Sequence, residues 1–246
     1  FFDKSNEDIK FVSPVSGEII EISRGEKRRI LEVKIKADKT LVFQEHDKLK
    51  LSSVKAEQIK ATLLASGCRP FIKQRPYAII ADPNREPKAI FVSAHATAPL
   101  AADYNFTLKG KEAELQAAVT ALSKLTKGKV HVGVSKDAHS PFTNLEDIAI
   151  HRISGPHPSG NVGTLINKID PINKGETVWT VTPQDLVIIG ELLLTGKFNA
   201  ERLVALVGSQ IEQPRYLTTR IGSEIATMIY DRGIPKDAHA RIISGN

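Results

Sequence analysis

The hydrophobic period of this chain changes near residue 52, and that change limits its architecture more than any other feature. Residues 11–42 alternate apolar and polar side chains around turns at Ser16-Gly17 and Arg24-Gly25-Glu26. Alternation of period two predicts half-buried antiparallel strands at 11–15, 18–22 and 30–35. Beyond residue 52 the spacing becomes helical. Ser52 or Ser53 is placed to cap a helix whose buried stripe is Val54, Ile59, Leu63 and Leu64, with Gly67 closing it. Then come a strand at 88–93, a helix at 110–127 with Leu115, Val119, Leu122 and Leu125 on one face, and strands at 129–134 and 147–153. A short helix from near Gly160, a strand at 177–181, a helix at 183–194 and a strand at 202–207 complete the run. Such alternation predicts an α/β fold with a mostly parallel sheet covered by helices. The expected division is a small β module at 1–45, a doubly wound α/β domain at 46–212, and a third module opening at 213–246. The last holds a strand at 216–221, a helix at 223–230 and a strand at 241–244, too little to bury a core alone.

Composition removes several function classes. A single cysteine, Cys68, supports neither a disulfide framework nor a thiolate metal or cluster site. The most apolar stretch, 186–194, is interrupted by Gly190 and Glu191 and falls short of the roughly 20 residues that span a bilayer. We therefore expect no transmembrane segment. The net charge of +6 is scattered, and its densest group, Arg24, Lys27, Arg28 and Arg29, alternates with Glu26 and Glu32 and has no aromatic residue beside it. A nucleic-acid surface would interleave cations with stacking rings, so no nucleic-acid partner is expected. The chain opens at Phe1 without a signal-peptide pattern and stops after a strand-like run, so both ends are expected to be cut from something longer.

Two segments carry candidate chemistry. The first, Ser-Gly-Pro-His-Pro-Ser-Gly at 154–160 with Val162-Gly163-Thr164, follows a strand and enters a helix. Gly155, Gly160 and Gly163 let a backbone approach closely, and amides at the helix start attract anions. The pattern is neither the dinucleotide fingerprint nor a phosphate loop, so a ligand loop and a rigid turn both fit it. His157, between two prolines, is an acid, base or polar-ligand candidate. No His-x-x-x-His pair exists, and no metal site is expected. The second segment, Arg69-Pro-Phe-Ile-Lys-Gln-Arg-Pro-Tyr77, sets cations beside Phe71 and Tyr77. Arg75, Tyr77 and Phe71 suit a planar ring such as a quinone, while a proline-pinned linker fits equally. No Gly-x-Ser-x-Gly elbow occurs and Cys68 has no local base, so no catalytic residue is assigned.

Ser13-Pro-Val-Ser-Gly17 followed by Ile19, Ile20 and Ile22 resembles half of a biotinyl/lipoyl-type barrel, without the lysine tip that carries a cofactor. Together with Gln74-Arg-Pro-Tyr77, Ile90-Phe-Val-Ser-Ala-His-Ala-Thr-Ala-Pro-Leu-Ala101, the Gly-Pro-His-Pro block, Val178-Trp179, Gln184-Asp185 and Thr218-Thr-Arg-Ile-Gly222, it resembles the NqrA family, one of the subunits of the Na⁺-translocating NADH:quinone reductase of bacterial membranes. That resemblance implies a lipoyl-like β barrel, a Rossmann-like domain and the start of a ubiquitin-like β-grasp domain. It implies a peripheral subunit on the cytoplasmic side of the bacterial inner membrane, scaffolding the complex and helping to bind quinone. Quinone is then the substrate, and NADH, flavins and an iron–sulfur centre belong to partner subunits, with no cofactor held tightly by this chain. The related flavin-binding subunit of complex I uses Gly-Glu-Glu and an acidic segment, whereas Ala94-His-Ala-Thr-Ala-Pro99 here has no carboxylate. Two alternatives stand beside this reading, the C-type subunit of the ferredoxin:NAD electron-transport complex and an independent soluble flavin- or nucleotide-binding enzyme.

Overall fold

A computed structural model describes residues 1–230 and 241–245. The chain begins with a short ladder of β1 (Phe2–Asp3) on β2 (Asn6–Lys10), then a hairpin of β3 (Gly17–Arg24) and β4 (Ile30–Ala37). The strand expected at 11–15 does not form; extended pairing sits earlier, at 6–10, and residues 14–16 bend. The Ser13 hydroxyl donates to the Val15 carbonyl at 2.6 Å across Pro14, a local bond that competes with a ladder. The hairpin is not half-buried either. Register puts Ile19 opposite Ile35 and Ile22 opposite Val33 on one face, with Glu21–Lys34 and Ser23–Glu32 on the other. Yet Ile19, Ile20, Ile22, Ile30 and Leu31 are all exposed, because two strands cannot supply the second layer that an apolar sheet face needs.

The α/β part comprises α1 (Ala56–Ala65), β5 (Lys73–Arg75), β6 (Ile79–Ile80), β7 (Ile90–Ser93), α2 (Tyr104–Thr107), α3 (Glu112–Ser123), β8 (Val130–Ser135), β9 (Ile148–Ile153), α4 (Val162–Ile169), β10 (Val178–Thr180) and α5 (Pro183–Thr195). The cap of α1 is not Ser52 or Ser53. The helix starts at Lys55, whose N–H donates to the Gln58 side chain at 3.0 Å, and Gly67 then turns the chain at φ +75°. Six strands form one sheet in the order β6-β5-β10-β7-β8-β9. β10, β7, β8 and β9 run parallel, while β5 and β6 are antiparallel additions at the edge. Periodicity misses β5 because Lys73-Gln74-Arg75 contains no apolar residue, and β6 because Ile79-Ile80 is too short to show a period.

Alternation along the parallel strands feeds two cores. On one face Val92, Val132 and Trp179 pack with Ile59, Leu63, Leu115, Leu122, Leu186 and Ile189 from α1, α3 and α5. On the other, Phe91 and Val178 pack with Leu165 and Ile166 of α4. The spatial order reverses between β7 and β10: the chain leaves β7 through α3 on one face and reaches β10 through α4 on the opposite face. A reversal of this kind splays the loops apart and opens a crevice at the carboxyl ends of the strands.

The strand expected at 202–207 forms as β11 (Glu201–Leu206) but stays outside this sheet. It pairs antiparallel with β12 (Arg215–Arg220), followed by α6 (Ile225–Tyr230). Residues 241–244 form no strand, and Gly233 to Pro235 lie outside the described residues.

At the β8–β9 edge, His131 Nδ1 lies 2.9 Å from His151 Nε2, and the His131 ring stacks on Phe91 with centroids 4.8 Å apart. That hydrogen bond requires at least one neutral ring. Burial pushes the pKa of both below 6.5, each ring's neighbours Lys129 and, for His131, His151 pushing the same way and Asp170 opposing. Below pH 6.5 the unfolded chain therefore binds protons first, so these residues contribute stability above that pH and lose it as pH falls through their folded-state values. The melting temperature is expected to fall between pH 7 and pH 5, and less steeply in a His131→Phe, His151→Gln double variant. An identical slope in the variant would refute the pair's part in it.

Candidate functional site

The crevice at the switch point is a cleft of about 700 Å³. Three segments distant in sequence build it. From β5 come Lys73 and Arg75, which register sets opposite Thr180 and Val178 of β10 and so on the α4 side of the sheet. The loop after β7 contributes His95, Ala96, Thr97 and Ala98, and the start of α4 contributes Gly160, Asn161, Gly163 and Thr164. Phe71, Tyr104, Thr182 and Asp185 complete the walls.

Gly160 holds two of these segments together. Its N–H donates to Thr97 Oγ1 at 3.0 Å and its carbonyl accepts from Ser93 Oγ at 2.5 Å. A Cβ here would run into the His95 carbonyl and the Thr97 side chain, so only glycine permits the approach. Gly163 is different: it lines the cleft, and nothing lies within 4 Å of where its Cβ would be. No side chain caps α4, so the amides of its first turn are free of side-chain partners.

The charge of the cleft is lopsided. Asp185, only 7% exposed, is bound by the Arg202 guanidinium and accepts from Thr182 Oγ1 at 2.6 Å. Its charge is thereby consumed within the protein. Lys73 and Arg75 have no such partner among the described residues, and Arg75 Nε is shut off from solvent without a hydrogen bond. Burial pushes the Lys73 ammonium pKa down, with Asp185 opposing, and pushes the Tyr104 phenol up.

Of the residues singled out from sequence, Phe71, Arg75, Gly160 and Gly163 line this one cleft. Phe71 stacks on Phe198 with centroids 6.1 Å apart, and the Arg202 guanidinium lies 5.8 Å from its ring. Tyr77 is 81% exposed and stands outside the walls. His157 is also exposed and lies behind the wall, its Nδ1 3.2 Å from Thr97 Oγ1. Gly155, at φ +120°, shapes the loop by accepting from Ser159 Oγ at 2.8 Å. Sequence reasoning missed Lys73, Thr180, Thr182 and Asp185; the Thr-Val-Thr-Pro run at a strand–helix junction was the available signal. Burial pushes the Cys68 thiol to about 12, which leaves it inert. Among the described residues, no group of three or more His, Cys, Asp or Glu side chains is arranged to hold a metal, and no helix is long and apolar enough to cross a membrane.

Fold and site together define an α/β protein with a cation-lined cleft, carried between two smaller β modules. Residues 54–198 match the family model described as the NqrA second alpha/beta domain, residues 1–38 the NqrA N-terminal barrel-sandwich hybrid domain, and residues 203–246 the NQRA C-terminal domain. The chain belongs to the NqrA family. It is 38% identical over its whole length to the NqrA subunit of the Na(+)-translocating NADH-quinone reductase of Neisseria meningitidis, 37% to that of Cellvibrio japonicus and 35% to that of Haemophilus influenzae. In each case it spans 55% of the relative's length.

Proposed function

We propose that the chain works as part of a peripheral subunit of a sodium-pumping NADH:quinone oxidoreductase, scaffolding the complex and holding a quinone ring in the switch-point cleft. The observation that carries this reading is the convergence of the 69–77 and 153–166 segments on one cavity, 700 Å³ in volume, within the range of small-molecule sites. Phe71 adds apolar surface to the wall. Lys73 and Arg75 supply donors to a quinone oxygen, which gains negative charge as electrons arrive. The electron carriers belong to partner subunits, and this chain's residues bind, orient and neutralise charge. The strand order around β7 and β10 supports a Rossmann-like reading, the β3–β4 hairpin a lipoyl-like barrel, and the β11–β12 pair with α6 the opening of a β-grasp domain. The units 1–45, 46–212 and 213–246 stand as the proposed division, with β11 reaching across the second boundary to pair with β12. The subunit then sits on the cytoplasmic face of the bacterial inner membrane without a span of its own.

A photoreactive quinone applied to the intact complex is expected to label peptides containing residues 71–75 or 95–98. Lys73→Gln with Arg75→Gln should reduce that labelling and raise the KM for quinone about tenfold, the loss of roughly one charge-assisted hydrogen bond. Labelling confined to other subunits would reject the placement.

A further inference from the structure

We propose that the same cleft binds a phosphorylated aromatic ligand of mononucleotide size, with its phosphate against Lys73, Arg75 and the first turn of α4. The inference concerns the same cavity as the proposed quinone site, but not the same ligand, and the two stand or fall separately.

Four observations carry it. The cavity sits where the strand order reverses in a parallel sheet, the place at which such sheets bind ligands generally. Its cations are uncompensated: Asp185 is the one carboxylate among its described walls, and Arg202 and Thr182 already occupy it. Arg75 lines the cleft and its guanidinium makes no hydrogen bond among the described residues; Nε is sealed off, so the terminal nitrogens are what an anion in the cleft would meet. Gly163 leaves open space beside uncapped amides, where a side chain would otherwise cover them.

The remaining walls set the ligand's other end. Phe71 and Tyr104 add two aromatic side chains to the wall, apolar surface suited to a flat ring. No free carboxylate among the described residues faces the cavity, so a ribose diol would find none of the acidic acceptors that dinucleotide sites use. Recognition must then rest on the phosphate. Burial already depresses the Lys73 pKa, and a neighbouring phosphate would raise it again.

The test uses the complete subunit titrated calorimetrically with AMP, adenosine and inorganic phosphate. AMP is expected to bind saturably, adenosine at least tenfold more weakly, and phosphate to compete with AMP. Raising salt from 50 to 500 mM should weaken AMP binding. Lys73→Gln with Arg75→Gln should lower AMP affinity at least tenfold. Gly163→Ala should lower it too without lowering the melting temperature, since no protein atom lies within 4 Å of the added methyl group. Equal affinity for adenosine and AMP, unchanged AMP binding in the double variant, or no saturable binding would overturn the inference. Quinone labelling of the cleft without AMP binding would sink this inference and leave the quinone reading standing. AMP binding with quinone labelling elsewhere would do the reverse.

Discussion

Replacing Arg69 with alanine is expected to destabilise the α/β part of the chain by about 4 kcal/mol, combining a large-to-small core change with two orphaned acceptors. Arg69 has no exposed surface, and its guanidinium lies 4.4 Å from the centre of the Trp179 ring. Its Nε donates to the Ala81 carbonyl and its Nη2 to the Asp82 carbonyl, both at 2.9 Å. Those acceptors follow directly on β6, so the side chain pins the antiparallel edge, with Lys73 and Arg75 upon it, to the tryptophan of β10. No carboxylate among the described residues pairs with it closely. Burial lowers its pKa to about 10 against a smaller opposing effect of Asp82, and it is still charged at neutral pH. Arg69→Met separates the contributions: it keeps the packing over Trp179 and removes the desolvated charge, leaving the two carbonyls unpaired at about 2 kcal/mol. Trp179 is the only tryptophan in the chain, so its fluorescence in urea follows this unit directly. A methionine variant as stable as the parent would show that the carbonyl clamp is worth no more than the desolvated charge costs.

Gly190→Ala should destabilise the fold by about 2 kcal/mol, the sign opposite to what helix propensity predicts. Glycine inside an exposed helix costs about 1 kcal/mol relative to alanine, so the substitution would ordinarily help. Here α5 crosses α3 at this residue, and a Cβ would fall on the Glu114 backbone carbonyl. Backbone cannot swing aside as a side-chain tip can, so the helices must separate, and overpacking of this kind costs about 1–3 kcal/mol. The first turn of α5 carries Thr182 and Asp185 in the cleft wall, so a shift of the helix also loosens the site. Urea unfolding of the variant measures the effect, and a midpoint equal to or above the parent's would refute close helix contact at Gly190.

Helix α3 was legible because Leu115, Val119, Leu122 and Leu125 repeat on one face, and all four are buried in the structure. The parallel strands were legible as short apolar runs for the same reason. Strand β5 was not, since Lys-Gln-Arg holds its place through ladder pairing with β10 and carries no hydrophobic signal. The 11–15 segment misled in the opposite direction: its apolar residues alternate, but Ser13 and Pro14 bend the chain. At the site, Gly160 and Gly163 were visible as glycines of one loop. Only the structure separates their roles, one needed for contact with His95 and Thr97, the other lining the cleft with open space at its Cβ position.

The sequence by itself determined the change from β alternation to strand–helix alternation, the buried faces of the helices, and the two segments worth watching. Hydrophobic periodicity and residue chemistry are local properties, readable within a few turns of chain. Tertiary structure alone decided that the two segments share a cleft, that Arg69 is a core clamp while Arg75 is a wall, and that Asp185 is spent on Arg202. Those outcomes depend on strand order and on helices passing to opposite faces of the sheet. Such long-range pairings leave no trace in the spacing of neighbouring residues.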